Sequence, residues 1–218
     1  MAINNEDSVN VILEVCAALS AGDIERGKEI IITKYPHDKN FYKGEKAKRN
    51  YNQDSRQKSA FTVDPVTVET RNKDQYRLAI FMRDGFIDRY FGGKLIFNGT
   101  LRIISYHMPE IFPYISHGRT QLSHQAWWDL LPCVSHITPT KIDGSDGTEN
   151  LICSSNRLSF QKLDATPEEV GWKVLPAGNL SDWDGTLHWF MDYVAKNPAV
   201  LENTYINNCH KACVTLKV

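Results

Sequence analysis

Residues 134–162 read VSHITPTKIDGSDGTENLICSSNRLSFQK, and they concentrate the groups that could do chemistry. A histidine, His136, stands at the end of a short apolar stretch, LLPCV, and is followed by Pro139 and by a turn rich in Gly and Asp. Next come an Asn-Leu pair, Asn150-Leu151, and a polar helix ending at Lys162. Imidazole titrates near neutrality, so a histidine held at a strand end can take a proton from water as a general base. Asp143, Asp146 and Asn156 add polar oxygens in the same stretch. A His followed by a Pro is weak evidence by itself, because a structural histidine satisfies the same pattern. The order of several such features along the chain carries more.

The elements that must position these groups follow from the rest of the chain. Its 218 residues, 42% hydrophobic and with five tryptophans, suffice for one domain with appendages or two small ones. No apolar run approaches the roughly 20 residues that cross a bilayer. The start, MAINNEDSVN, lacks the basic and apolar regions of a signal peptide, so the expectation is a cytoplasmic protein without a membrane partner. Five scattered cysteines suit a reducing compartment and free thiols. Cys209 and Cys213 flank His210 on a helix, but no second half-site of tetrahedral zinc spacing accompanies them. A net charge of −1 gives no global attraction to nucleic acid, so any such binding must come from local patches.

In chain order, four regions are expected. Residues 1–40 form a helical hairpin, with Ser8 capping a helix that carries Val9, Ile12, Leu13, Cys16 and Leu19 and closes near Gly22. Its second helix starts after Asp23 and stops before Pro36. Residues 41–75 form a basic linker in which Lys46, Lys48 and Arg49 interleave with Tyr42 and Tyr51, followed by an edge strand in TVDPVTVET. A solvated linker is the plain reading of that charge, and a nucleic-acid contact gains weight only beside a nuclease core. Residues 76–175 form the core, entered by YRLAIFMRDGFIDRYFGGKLIF: an element ending at Arg83, a turn at Asp84-Gly85, and a β-hairpin through Gly92-Gly93. Residues 176–218 form further helices, one with Leu187, Phe190, Met191 and Val194 on a face before Pro198, which cover the core or present a homodimer surface.

The run RDGFIDRYFGGKL, the strand LLPCVSHITP, the Asn150-Leu151 pair and the helix to Lys162 together resemble the HNH endonuclease family, over somewhat more than a third of the chain. The resemblance implies an α+β fold with a central ββα-metal core, and hydrolysis of double-stranded DNA with Mg²⁺ or Mn²⁺. In that family a cysteine pair after the Arg-Asp-Gly-Phe run holds a zinc. Asp88 and Phe91 stand there, so no structural zinc is expected and apolar packing must hold the knuckle. His136 matches the general base, and Asn150 the residue that orients its loop. Lys162, Arg83 and the basic linker fall near phosphates.

The metal positions depart from the family pattern. The acidic residue before the base is Ser135, and the position nine beyond Asn150 and three before Lys162 is Ser159. A neutral hydroxyl is a poor substitute for a carboxylate around Mg²⁺. Asn156, one helical turn before Ser159, is the best-placed substitute, with Asp143 and Asp146 as others. The expectation is therefore a restriction-like or defence-like endonuclease with His136 and Asn150 catalytic and Ser135, Asn156 and Ser159 near a cation. Its alternatives are a degenerate HNH domain that binds nucleic acid without cutting, and a protein-interaction module built on the aromatic C-terminal helices.

Overall fold

Apolar residues at helical spacing dictate the first element, α1 (Glu6–Ser20), in which Val9, Ile12, Val15, Cys16 and Leu19 are buried along one stripe. It begins two residues before the expected cap at Ser8. Glu6 and Asp7 occupy the first turn, where carboxylates favour the helix dipole, and the preceding Asn5 turns its amide to the Lys94 carbonyl at 2.6 Å. At the other end Gly22 takes φ +77, letting Asp23 N–H reach back to the Ala18 carbonyl at 3.0 Å. Asp23 then caps α2 (Ile24–Lys34) by accepting the Arg26 N–H at 2.9 Å.

The computed structural model describes residues 5–39, 41, 74–115 and 122–218. Lys46, Lys48 and Arg49 and the edge strand expected in TVDPVTVET lie outside the described residues. Helices α3 (Asp74–Arg83) and α4 (Asn98–His107) follow, then a short α5 (Ala126–Asp129). After the sheet come α6 (Asn156–Lys162), α7 (Leu187–Lys196) and α8 (Thr204–Thr215). One apolar cluster joins Ile12 and Val15 of the hairpin to Leu101 and Ile104 of α4, Phe190 of α7 and Cys213 of α8. The Trp189 indole of α7 clamps the hairpin by donating to the Cys16 carbonyl at 3.1 Å and the Ser20 hydroxyl at 2.9 Å.

The fold is α+β, with one small antiparallel sheet among the described residues. Strands β1 (Pro132–His136) and β2 (Leu151–Ser155) pair from Pro132 with Ser155 to His136 with Leu151. Helix α6 leaves β2 without a linker because Ser155 caps it, its hydroxyl accepting the Leu158 N–H at 3.2 Å. The Asn156 N–H, bound to the Leu131 carbonyl at 3.0 Å, ties the helix start back to the foot of β1. No helix among the described residues is long and apolar enough to cross a membrane.

Two buried carboxylates lock the segment before the sheet onto β2. Asp84, fully buried, meets the guanidinium groups of Arg83 and Arg89 and accepts the Cys153 N–H at 2.7 Å. Asp88 accepts the N–H groups of Tyr90, Phe91 and Ser155 at 2.9, 3.0 and 2.5 Å. Burial pushes its carboxyl above the usual range, and those bonds pull against the shift. The expected hairpin at Gly92-Gly93 is thereby reduced to a tight turn with a single bridge, Ile87 with Lys94, because Asp88 takes the N–H groups that a ladder would use. The expectation that apolar packing alone holds this knuckle is corrected: Phe91 does pack on the Trp172 ring at 5.1 Å, but Asp88 supplies the tie to the sheet.

Candidate active site

His136 is the last residue of β1, and Pro132, Cys133, Val134 and His136 all line a cleft of about 700 Å³. Its Nε2 lies 3.0 Å from Asp146 Oδ1, with both side chains partly exposed. The carboxylate favours the tautomer in which Nε2 carries the proton and donates to Asp146, leaving the Nδ1 lone pair as the basic site. An imidazole oriented by a carboxylate is the arrangement a general base needs.

Asp146 is brought there by Asn150, which ends the short 3-10 turn Thr148–Asn150 before β2. Its Oδ1 accepts the Thr138 N–H at 2.8 Å, while Nδ2 donates to the carbonyls of Thr138 at 2.8 Å and Ser145 at 2.6 Å. One buried amide thus closes both ends of the loop between the strands. The Asn150 carbonyl extends the ladder by accepting the Ile137 N–H at 2.8 Å. Asn150 thus ties Thr138, two residues after His136, to Ser145, the residue before Asp146.

The three expected metal ligands do not converge. Ser135 faces away from His136 and is buried with its hydroxyl 3.4 Å from that of Tyr90, whose phenol burial pushes up to about 12. Ser159 bonds the Cys133 thiol, a contact that opposes the rise burial imposes on that thiol. Asn156 alone shares the cleft with His136, and its amide donates to the Trp127 carbonyl at 3.3 Å. Among the described residues no group of three or more His, Cys, Asp and Glu assembles as a metal site. The set named for Mg²⁺ or Mn²⁺ does not fit a hard cation that takes six oxygens in near-octahedral order. All five cysteines are unpaired, and burial pushes Cys209 and Cys213 to about 12.

The expected phosphate contacts also divide. Arg83 directs Nε and one terminal nitrogen at the two Asp84 oxygens, and also donates to the carbonyls of Thr148 and Leu151 at 2.8 and 2.6 Å. Its work is to hold the start of β2 against α3. Lys162 is buried at the end of α6, and desolvation lowers its ammonium pKa while Asp164, Glu169 and Glu168 oppose that shift.

The cleft holds two further cations. Arg77 of α3 and Arg102 of α4 line it beside His136. Their separation in sequence conceals a juxtaposition made by helix packing. The partnership of His136 with Asp146 is likewise hidden, since an acidic residue in a Gly-rich turn carries no mark of which side chain it will face. No family model, curated protein or solved structure matches the chain.

Proposed function

We propose that the chain is an HNH-type endonuclease that hydrolyses DNA phosphodiester bonds with His136 as general base. The observation that carries the reading is the His136–Asp146 contact at a strand end, closed into one loop by the three side-chain bonds of Asn150. Phosphodiester hydrolysis is slow because water is a weak nucleophile toward an anion. His136 removes a proton from water as its oxygen attacks phosphorus, the P–O bond to the leaving sugar oxygen breaks on the opposite side, that oxygen takes a proton from solvent, and Asp146 stabilises the imidazolium that forms. Asn150 acts through the loop as a positioning residue. Because the Ser135 and Ser159 hydroxyls are turned toward Tyr90 and Cys133, no step is drawn through a divalent cation.

The same two serines favour a second reading, a domain that retains nucleic-acid binding without cleavage. Supercoiled plasmid incubated with the protein in Mg²⁺, Mn²⁺ or EDTA separates the two. Nicking that vanishes in His136→Ala supports the endonuclease. Salt-sensitive DNA retention without nicking supports the binder, and the absence of both supports an interaction module.

A further inference from the structure

Arg102 is held in a cage of aromatic rings. Its guanidinium carbon lies 3.6 Å from the Tyr114 ring centre, 4.5 Å from that of Tyr205 and 5.1 Å from that of Trp127. The rings fix a planar, weakly hydrated cation in one orientation. Its Nε is buried without a hydrogen-bond partner, and among the described residues neither Arg102 nor Arg77 has a carboxylate in ion-pair contact. Burying part of a guanidinium without an anion is costly, so an anion is needed to complete the arrangement. Both cations reach the cleft wall: burial and Asp74 raise the Cys209 thiol while Arg102 opposes them, and burial raises that of Cys133 while Ser159 and Arg77 oppose it, on the strand that ends in His136. Asp74 is the carboxylate lining the same cleft.

We propose that Arg102 and Arg77 form a subsite for backbone phosphates of an unpaired nucleic-acid strand, in the cleft that His136 lines. This rests on the reading of His136 as a phosphodiesterase base and names the form of substrate it meets. A guanidinium fork matches a phosphate's oxygens, and the half-exposed Tyr205 and the Tyr76 ring at the rim suit stacking by a base. The volume, about 700 Å³, lies in the range of roughly 300–1,000 Å³ typical of small-ligand sites.

The test is the anisotropy of a short fluorescein-labelled oligothymidylate against full-length protein at several KCl concentrations, in EDTA. Each of Arg102→Met and Arg77→Met should weaken binding and flatten the slope of log affinity against log salt by about 0.7, the single-strand value for one lost phosphate contact. A methylphosphonate strand of the same length should bind more weakly and without that salt dependence. Unchanged slopes in both variants, or equal binding of the neutral strand, overturn the proposal. If Arg102→Met fails to fold by circular dichroism, Arg77→Met and the neutral strand decide. Altered slopes without plasmid cleavage would support the subsite while overturning the endonuclease. His136-dependent cleavage with unchanged slopes would do the reverse.

Discussion

Replacing Asn150 tests whether one amide closes the loop that carries Asp146. Asn150→Ala removes three hydrogen bonds, leaving the Thr138 N–H and the carbonyls of Thr138 and Ser145 without that partner. At about 1 kcal/mol for each bond, and more where a buried group stays unsatisfied, the loss is roughly 3–5 kcal/mol. Asn150→Asp is the sharper probe. It keeps an acceptor for the Thr138 N–H but turns a second oxygen toward two carbonyls that now receive a proton donor, so it should destabilise at least as much as alanine near neutral pH. Asn156→Ala, which loses a single bond of 3.3 Å, should cost less than about 1 kcal/mol. Urea unfolding followed by tryptophan fluorescence measures all three. An Asn150→Asp variant as stable as the parent, or equal costs for Asn150→Ala and Asn156→Ala, would show that the Asn150 amide does not close the loop.

Three further outcomes are expected. Asp88→Ala strands three backbone N–H groups and should cost roughly 3–6 kcal/mol, with Asp88→Asn costing less, as read from thermal or urea unfolding. Burial, aided by the neighbouring His37 and opposed by the bond to the Tyr35 carbonyl, lowers His124 to about 4. Its contribution to stability is therefore present above its unfolded value near 6.5 and is lost as pH falls from there toward 4, by up to about 3 kcal/mol. His124→Phe should lose less stability than the parent over that window in urea melts at each pH. Ser135→Asp places a carboxylate beside Tyr90 in a buried site and should lower the melting temperature, and its combination with Ser159→Asn should not raise cleavage. A faster double variant would show that the serines do stand at ligand positions.

Local pattern makes some of this molecule readable in advance. The stripe from Val9 to Leu19 and the face of Leu187, Phe190 and Val194 declare their helices because each must bury apolar groups at the helical period. His136 and Asn150 are readable from type and spacing, since a strand end and a loop closure are local events. Arg83 is not, because the carbonyls of Thr148 and Leu151 that it serves arrive only when α3 packs on the start of β2. Ser135 likewise reads as a neighbour of the base, whereas the pleat puts adjacent side chains on opposite faces. Asp88 looks like a surface turn residue until Ser155 is brought over it. Arg102 and Tyr205 come from α4 and α8, and only their packing makes a cage.

The proposal's central claim is that His136, set by Asp146, removes a proton from the attacking water. The most direct measurement is the single-turnover rate of plasmid nicking by the parent, His136→Ala and Asp146→Asn, each first shown to be folded. The expected result is a loss of about 10²–10⁴-fold in His136→Ala, the usual worth of a general base, and a smaller loss in Asp146→Asn. Equal rates in the parent and His136→Ala, or no nicking by the folded parent in any of Mg²⁺, Mn²⁺ and EDTA, would contradict it.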